Sequence, residues 1–510
     1  MDFDEKNRRQ LIRVIIAEIG MVLSVIAIVV VSTMAAMGFV ISSNGSIEQS
    51  GLMQLHTLPT GANVKIDGNT ILARTNLSRT LSAGTHQLEI YRDGYDSWQN
   101  QIKIRSGALL RLYYPRLFLQ NRVAENVKNL TTIDNLEFYS PSAKRNYILY
   151  AEKGSPEWQL VDVRGDEIRT TPLDLSGILP GMLEEKNPAI GKTAKPETHE
   201  FKFHGCIDEV KWSDDEEQVL VKVTYEAKSE WVLVRLRDIA RSMNLTRTFG
   251  LGDTQFSMID SSATQLYALE RKQLRRVNTN DGSMSRVLID NVKTYQNKGS
   301  KIIYLSEASE GKQAVLGVFR DDERGSTILT EVPENVQVKI GISRYFDEDY
   351  LVYAFDKKVT ILRGNLPSYR EDNPKPNPDE LKPLVDPIEL AEIPDNLVIS
   401  PDGEYVVAYK GQDFNAIDLD DGEKYSYEAP TNILQWFDAS MMYAVKEKQI
   451  LVWDFDGTNQ RNLAQSAKTS SDQEVEVANS SVMVTANNRW IYYLTQGDKF
   501  TVLTREKIRD

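Results

Sequence analysis

The sequence has a single cysteine, Cys206, and only four histidines among its 510 residues. One cysteine excludes an intrachain disulfide framework and any cysteine-rich zinc or iron–sulfur site. Positive charge is also in deficit, because 60 Lys and Arg face 73 Asp and Glu, for a formal net charge of -13. This balance argues against a general nucleic-acid-binding protein, so no nucleic acid is expected as a partner.

The sequence motifs of common hydrolases are missing as well. The chain has no Gly-x-Ser-x-Gly nucleophile elbow and no His-Glu-x-x-His zinc helix. Gly191-Lys192-Thr193 resembles the end of a phosphate-binding loop, but residue 186 is Lys where that loop requires Gly. We therefore predict no catalytic residue and no cofactor, and we do not expect the chain to be an enzyme.

Metal ligands are sparse. His199, His204 and Cys206 are close in sequence, but a fourth ligand is missing, and ordinary loop chemistry is the favoured interpretation. Acidic turns such as 214–217 and 418–421 attract Ca²⁺ in some proteins, although solvated hairpin turns explain them as well. The prediction is that no metal is bound.

A long apolar run lies near the N-terminus. Residues 19–41 form its apolar centre, and no charged residue occurs between Ile19 and Ile47. A bilayer core about 30 Å thick needs roughly 20 helical residues, so we predict a transmembrane helix over 19–41. A cleaved signal peptide is the alternative, although its apolar region normally has about 7–15 residues.

Charge on either side of this run predicts its orientation. Before it come Lys6, Arg8, Arg9 and Arg13, whereas the next basic residue is Lys65. Because basic flanks stay in the cytoplasm, we expect a cytoplasmic tail at 1–18 and everything beyond the linker 42–52 outside the cell. The localisation predicted is the cytoplasmic membrane, in a single pass, with the lipid bilayer as one partner.

Residues 53–118 alternate between polar and apolar side chains in short segments separated by turns. The strand-like segments are 62–67, 86–91 and 100–105. Glycine at each turn supplies the positive φ that other residues adopt only with strain; these turns contain Gly68, Gly84 and Gly94. The pattern predicts a small all-β sandwich.

The same segment resembles the PEGA domain family. Its motif stands here as Pro59-Thr60-Gly61-Ala62, followed at the family's spacing by further turn and aromatic residues. The motif residues, all assigned a structural role, are Pro59, Gly61, Ala62, Asp67, Gly68, Gly84, His86, Gly94, Tyr95 and Trp98. The resemblance implies an extracytoplasmic, envelope-associated module without catalytic activity.

The small domain is basic, whereas the whole chain is acidic. Residues 51–118 contain eight Lys and Arg against four Asp and Glu. Close to a membrane, this excess suits contact with anionic lipid or a wall polymer. A solvated strand face explains it equally well.

From residue 122 onward a strand–turn–strand theme recurs. Copies start near residues 139, 212, 258, 296, 344, 399, 436 and 483, and the clearest contains Ser400-Pro401-Asp402-Gly403. A spacing of about 40–45 residues with four strands per unit is typical of β-propeller blades. The copies resemble TolB-like and WD40-like blades and predict a mainly β chain ending in a seven- or eight-bladed propeller over 122–510; a pair of stacked β-sandwiches is the alternative.

Two proline-rich segments interrupt the repeat. Residues 170–205 and 364–391 have proline without periodic apolar residues, which indicates insertions that form exposed loops. Long loops on propellers carry binding surface in some proteins and are tolerated insertions in others.

These features predict a membrane-anchored protein of a bacterial cell envelope. Its propeller would act as a non-catalytic binding or scaffolding module, with an envelope protein or wall polymer as partner. The alternative is a glycosidase- or lyase-like enzyme that gathers carboxylates from several blades at the central mouth.

Overall fold

The computed structural model describes residues 3–36, 38–41, 47–185, 199–203, 205–309, 313–371, 380–465, 467–468, 474–478 and 481–510. The chain forms two compact units. The first comprises Met1–Asn121 with Arg509–Asp510, and the second comprises Arg122–Ile508. The predicted loop centres at 186–198 and 372–379, together with His204, lie outside the described residues.

A long N-terminal helix, α1, spans Phe3–Ala36. Its segment Ile15–Met34 has a mean hydropathy of 2.6 and no buried side chain, so it is long and apolar enough to cross a membrane. The predicted C-terminal boundary at residue 41 is wrong. Gly38 has a positive φ of 80°, which ends helical geometry, and Phe39–Ile41 forms a strand instead.

The rest of the first unit contains a hairpin and a two-sheet sandwich. The hairpin pairs β1 (Phe39–Ile41) with β2 (Ile47–Gln49). One sheet has the order β6-β3-β9 and the other β5-β4-β7-β8. Their strands are β3 (Gly51–Leu55), β4 (Asn63–Ile66), β5 (Asn69–Ile71), β6 (Leu77–Leu81), β7 (Gly84–Tyr91), β8 (Trp98–Ile104) and β9 (Leu109–Leu112).

Alternation along these strands builds the sandwich core. In β3, Met53 and Leu55 are fully buried while Leu52 between them is exposed. Val64 and Leu88 from the other sheet are fully buried as well. Period-two patterning therefore directs one face of each sheet inward, as the sequence predicted.

The described part of the second unit contains eight antiparallel sheets of three or more strands in chain order, here called blades 1 to 8. Blade 1 has β11 (Leu136–Pro141), β12 (Tyr147–Glu152), β13 (Glu157–Asp162) and β14 (Arg169–Asp174). A separate hairpin follows, formed by β15 (Gly181–Glu185) and β16 (His199–Phe203). Blade 2 has β17 (Cys206–Trp212), β18 (Gln218–Tyr225), β19 (Lys228–Arg235) and β20 (Met243–Asn244), followed by the short helix α2 (Leu245–Phe249).

Blades 3 to 5 continue the same up-and-down pattern. Blade 3 has β21 (Thr254–Met258), β22 (Gln265–Glu270) and β23 (Gln273–Asn278). Blade 4 has β24 (Val292–Lys298), β25 (Lys301–Ser306), β26 (Val315–Arg320) and β27 (Ser326–Glu331). Blade 5 has β28 (Val338–Tyr345), β29 (Glu348–Phe355), β30 (Lys358–Gly364), β31 (Leu381–Pro383) and β32 (Ile388–Glu389).

Blades 6 to 8 complete the set. Blade 6 has β33 (Asn396–Ile399), β34 (Tyr405–Lys410), β35 (Asp413–Asp418) and β36 (Lys424–Glu428). Blade 7 has β37 (Met441–Lys446), β38 (Gln449–Asp454) and β39 (Arg461–Gln465). Blade 8 has β40 (Ala467–Lys468), β41 (Glu474–Val477), β42 (Met483–Val484), β43 (Trp490–Gln496) and β44 (Phe500–Lys507), and it also contains β10 (Ala124–Thr132).

Neighbouring blades bury each other's apolar faces. Leu149 and Trp158 of blade 1 share a core with Val221 of blade 2, and similar cores join blades 2 to 3, 3 to 4, 4 to 5, 5 to 6, and 8 to 1. Blades 6 and 7 meet through Tyr405 and Phe455, whose rings stack at 3.8 Å. A single blade cannot bury both of its faces, so serial packing is what stabilises each one.

The ring is closed by the two ends of the second unit. Strand β10 follows directly after the first unit and pairs with β44 near the C-terminus, with Ala124 opposite Glu506. Blade 7 contacts blade 8 through the Tyr443 hydroxyl, which accepts a hydrogen bond from Val482 N at 3.0 Å. Each blade therefore contacts the next around a complete circle, which confirms the propeller and excludes stacked sandwiches.

The two predicted insertions are partly blade strands. Arg169–Asp174 is the outer strand of blade 1, and Leu381–Pro383 and Ile388–Glu389 are outer strands of blade 5. Exposed loops were predicted from the proline residues, but an edge strand also tolerates residues that lack an amide hydrogen. Pro172 and Pro383 both lie in such strands.

Replacing Trp158 by alanine tests the packing between blades 1 and 2. Trp158 is fully buried, so the cavity left behind should lower the free energy of unfolding by about 3–5 kcal/mol. The matched control is Ile433→Ala, since Ile433 is 61% exposed and should change stability by less than about 0.5 kcal/mol. Urea unfolding followed by circular dichroism measures both; equal effects would contradict the packing assignment.

Candidate functional site

A cavity of about 620 Å³ opens at the centre of the second unit. Its walls come from blades 6, 7, 8 and 1, which are consecutive around the closed ring. Blades 1 and 6 contribute the turn after their first strand, blade 7 contributes 435–439 and Tyr443, and blade 8 contributes 481–483. Because four consecutive blades line one cavity only near the centre of the ring, this cavity is the propeller mouth. The residues around it are called the mouth below.

Blade 1 supplies the cationic side of the mouth through the turn that carries Lys144 and Arg145. Glu216 of blade 2, which is 4% exposed, supports this turn through hydrogen bonds. Its carboxylate accepts hydrogen bonds from Lys144 N at 2.6 Å and Asn146 Nδ2 at 2.7 Å. The Ser142 hydroxyl also accepts bonds from two backbone amides of the turn. The two cations are therefore presented on a fixed backbone.

Blades 6 and 7 supply carboxylates to the mouth. Asp402 accepts a hydrogen bond from the Ser400 hydroxyl at 2.7 Å. Asp438 is 6% exposed and accepts bonds from the backbone amides of Ser440 and Met441, both at 2.8 Å. Although Asp402 is partly exposed, the concave surroundings desolvate its carboxyl and, with the nearby Asp438 charge, raise its pKa.

Behind Asp402 lies a second, more buried carboxyl. Burial and the charge of Asp402 raise the pKa of Glu404 to about 7, although hydrogen bonds to Tyr345 and Tyr405 oppose the shift. In the next turn of the same blade, burial and the charge of Asp421 raise the pKa of Asp418 well above its ordinary value. These carboxyls repel one another in a poorly solvated turn region.

Aromatic side chains complete the wall contributed by blade 7. Phe437 and Tyr443 contact each other edge to face, with ring centroids 6.4 Å apart. Trp436 lines the cavity, and its indole Nε1 is shielded from solvent without a hydrogen-bond acceptor among the described residues. A buried donor without a protein acceptor is available to a ligand.

The mouth combines two cations, two carboxylates and an aromatic wall. This mixture suits recognition of a partner that carries both charge signs and some apolar surface. Among the described residues, no group of three His, Cys, Asp or Glu side chains is placed to hold a metal ion. The arrangement provides binding contacts on a rigid frame.

The motif residues of the small sandwich lie in its core and turns. Ala62 and Trp98 are fully buried, and Tyr95 is 5% exposed. The Trp98 ring packs edge to face against Tyr114, with centroids 5.8 Å apart. These aromatic residues contribute to packing and do not form an exposed platform for a sugar.

The turn residues have the backbone conformation that their glycines predicted. The motif glycines Gly61, Gly68, Gly84 and Gly94 all have positive φ. Asn63 pairs with Tyr91 and Ile66 with Leu88, so Gly61 and Gly94 lie near one end of this sheet and Gly68 and His86 near the other. The motif therefore gathers at no single surface site. None of these residues lies in the mouth.

His86 and Asp67 form an ion pair within the same sandwich. His86 Nδ1 lies 2.7 Å from Asp67 Oδ2, and its Nε2 lies 2.9 Å from the carbonyl oxygen of Ser82. Burial opposes protonation, but the bonds to Asp67 and Ser82 outweigh it and raise the pKa of His86. The bond to His86 lowers the pKa of Asp67. Both imidazole nitrogens are thus engaged, which favours the structural role over metal ligation.

The other weak metal candidates are dispersed. His199 lies in the β15–β16 hairpin opposite Glu185, and Cys206 is exposed at the start of blade 2. Gly191-Lys192-Thr193 lies outside the described residues.

Sequence reasoning missed the residues of the mouth. Lys144 and Arg145 follow the predicted blade start near 139, and Trp436 stands at another predicted start. Their position in the repeat could have indicated that they line the mouth, because in a propeller every turn after a first strand lies on one face around the centre. Pro401 and Asp402 were named there, but only as part of the clearest repeat.

Comparisons with known proteins agree with this division of the chain. The PEGA domain family model matches residues 50–116, which confirms the predicted sandwich family. No curated protein matches the sequence.

Solved structures with a similar fold include the Dos1 propeller, with a TM-score of 0.43, 9% identity and coverage of 75% of this chain and 95% of that chain. Two others are AztD from Citrobacter koseri (0.36, 8%, 80% and 96%) and an oligogalacturonate lyase in complex with manganese (0.33, 11%, 76% and 98%). At these similarities no activity transfers to this chain.

The His86–Asp67 pair should make stability depend on pH. A raised His86 pKa stabilises the fold below its ordinary value of 6.5, and this contribution is lost as pH rises through the higher folded value. A lowered Asp67 pKa stabilises the fold above 3.8 and is lost as pH falls. The pair therefore contributes most between about pH 4 and 6.5.

His86→Ala should accordingly lower the urea midpoint of the sandwich more at pH 5.5, below the ordinary histidine pKa of 6.5, than at pH 8.5. Asn69→Ala, a nearby change without a titratable group, is the control. A loss that is the same at both pH values would show that His86 acts through packing alone.

Glu404→Gln should stabilise the propeller at high pH. Because the folded pKa of about 7 exceeds the ordinary 4.5, the wild-type fold loses stability as pH rises through this interval. The neutral amide avoids that loss, so we expect a gain of about 1–3 kcal/mol at pH 8 and little change at pH 4. Glu428→Gln, on an exposed strand position, is the control; a gain independent of pH would contradict the assignment.

Proposed function

We propose that this chain, which carries a PEGA domain at residues 50–116 followed by an eight-bladed propeller, is a single-pass membrane protein of a bacterial cell envelope that binds a partner through its propeller mouth. The N-terminus lies in the cytoplasm, and the PEGA domain and the propeller lie outside. The propeller acts as a scaffold without catalysing a reaction.

The membrane arrangement is supported by the helix and its flanking charges. Helix α1 contains a 20-residue apolar stretch, Ile15–Met34, with no buried side chain. The basic residues of the N-terminal flank precede it, and the first basic residue after it is Lys65. Because basic flanks are retained in the cytoplasm, this asymmetry supports an external position for the PEGA domain and the propeller.

The single observation that carries the binding function is the composition of the mouth. Lys144 and Arg145 face a cavity whose other walls hold Asp402, Asp438 and Trp436. Both carboxylates also cap their own turns, so they are fixed in place by backbone amides. Such fixed polar groups around a partly aromatic wall favour recognition, because little ordering is needed on binding.

A second function is favoured by Glu404. A carboxyl with a pKa of about 7 beside Asp402 has the properties of a general acid, and paired carboxyls are the machinery of glycosidases. A glycosidase- or lyase-like activity is therefore the alternative. Glu404→Gln would abolish such activity, whereas it should leave partner capture intact if the propeller is a scaffold.

Capture experiments with the full chain in detergent test the scaffold. The bait is compared with a mouth variant, Lys144→Glu combined with Trp436→Ala, against solubilised envelope proteins and isolated wall polymers. The control is Lys293→Glu, which changes a second cavity of about 650 Å³ between blades 4 and 5. Circular dichroism establishes that each variant is folded.

The expected result is a partner retained by the wild type and the control but reduced at least about tenfold in the mouth variant, the loss expected from removing contacts worth about 1.4 kcal/mol. Capture that is equal for all three proteins would place binding elsewhere. Turnover of a glycan by the wild type but not by Glu404→Gln would replace the scaffold with the alternative.

A further inference from the structure

Hydrogen bonds hold the start of the PEGA domain close to the end of helix α1. The backbone amide of Ser50 donates a hydrogen bond to the carbonyl oxygen of Gly38 at 2.8 Å, and the Ser50 hydroxyl donates to the same oxygen at 2.5 Å. Gly38 is two residues beyond Ala36, where the helix ends. With about 3.8 Å between successive Cα atoms, Ser50 lies within roughly 13 Å of that end.

One end of the sandwich is therefore held beside the helix, and it is called the helix-proximal end. The Ser50 carbonyl accepts a bond from Gly107 N at 3.0 Å, which fixes the β8–β9 turn there. Gly51 pairs with Leu81, which brings the β6–β7 turn to the same place. The helix-proximal end consists of residues 50–52, 79–85 and 103–109.

The charges at this end are almost all positive. Segments 47–55, 77–85 and 101–112 meet there, and their only acidic residue is Glu48. Their basic residues are Arg79, Lys103, Arg105 and Arg111. Arg79, Lys103 and Arg105 have exposed side chains.

The acidic residues of the domain are neutralised or distant. Asp67 is paired with His86 at 2.7 Å, and Glu89 with Lys65 at 3.0 Å. Asp93 and Asp96 lie in the connection between β7 and β8, at the opposite end of those strands. Strand β7 has eight residues, so its two ends are roughly 26 Å apart, several times the Debye length of about 8 Å.

Two exposed leucines lie at the same end of the sandwich. Leu52 and Leu109 are each 38% exposed, and they are directly paired between the parallel strands β3 and β9, so their side chains share one face of the sheet. Exposed apolar side chains next to basic ones are typical of surfaces that rest on a membrane interface. The alternating pattern of β3 directs Leu52 away from the core of the sandwich.

We propose that the helix-proximal end of the PEGA domain docks on the bilayer that α1 crosses, with Arg79, Lys103 and Arg105 binding anionic lipid headgroups and Leu52 and Leu109 entering the interface. The inference rests on the membrane anchor of the proposed function. Attraction to an anionic leaflet decays within a Debye length, and the polar interface itself is several ångströms thick. Only this end of the domain is tied close enough to the helix to satisfy both distances.

The test uses the full chain in lipid nanodiscs, with Cys206→Ser as background so that one introduced cysteine carries a nitroxide label. One label is placed at Ala83→Cys, in the β6–β7 turn of the helix-proximal end, which keeps both leucines. The matched control is Leu72→Cys, a fully exposed position beyond β5 at the other end of the sandwich. Discs contain phosphatidylcholine alone or phosphatidylcholine with phosphatidylglycerol, and collision of the label with a water-soluble nickel chelate is measured.

In discs with phosphatidylglycerol, the collision rate at residue 83 should fall several-fold below that at residue 72. The difference between the two collision rates should become smaller in discs of phosphatidylcholine alone and in high salt. These two comparisons use the same labelled proteins without further substitution. Arg105→Glu should remove most of the protection, whereas Arg74→Glu, the same change at an exposed position away from the helix, should retain it.

Equal collision rates at both labels in anionic discs would overturn the proposal. Protection that ignores lipid charge, salt and Arg105→Glu would overturn headgroup binding. Only protein that co-purifies with discs is measured, so a failure of the anchor appears as a failure to co-purify and is distinguished from a failure of docking.

Discussion

Closure of the ring is the constraint on which the larger unit depends. A four-stranded blade exposes two apolar faces, and each is buried only when a neighbour stands on either side. Strand β10 supplies the missing partner by pairing with β44, so the last blade is built from both ends of the unit. Arg122, just before β10, donates hydrogen bonds to the carbonyl oxygens of Asn462 and Leu463 in blade 7. The chain therefore cannot complete its core until its final strands are in place.

The closed ring also brings the first turns of neighbouring blades close together around one centre. Glu216 of blade 2 accepts hydrogen bonds from the turn of blade 1 and so becomes part of its hydrogen-bond network. On the other side, Glu404 and Asp418 are placed among neighbouring carboxyls with little water, and their pKa values rise. Burying carboxyls in this way costs stability at neutral pH, and a structural role alone would be met by serine or asparagine. This cost supports the proposed use of this face in recognition.

The sequence was sufficient for the architecture because that depends on repeated local signals. Strand alternation and turn residues recur in every blade, and seven of the eight predicted starts fall in or beside the first strand of a blade, the exception being 483 in β42. The glycine turns of the sandwich were equally readable. Blade number could not be decided in advance, since seven or eight copies suit a ring and closure by β10 depends on a pairing between residues more than 370 apart, such as Ala124 with Glu506.

The site was much less accessible to prediction. Lys144 lies more than 250 residues before Asp402 and Trp436, and the three meet only after the ring has closed. Pro172 and Pro383 lie in edge strands. Proline therefore indicates a position without a backbone amide hydrogen, which an edge strand tolerates as well as a loop. Local pattern carries information about elements, whereas a site assembled from distant turns requires the topology first.

The two units hold their charges in different ways, and this affects how each can bind. In the mouth, Asp438 is fixed by amides of Ser440 and Met441, so its position is set before a partner arrives. At the helix-proximal end of the PEGA domain, Lys103 and Arg105 project from strand and turn on long side chains that can adjust to mobile headgroups. Fixed charges favour selection of one partner geometry, whereas adjustable cations favour a fluid, repetitive surface. The distribution of charge thus supports both proposals, a specific partner at the mouth and the membrane at the PEGA domain.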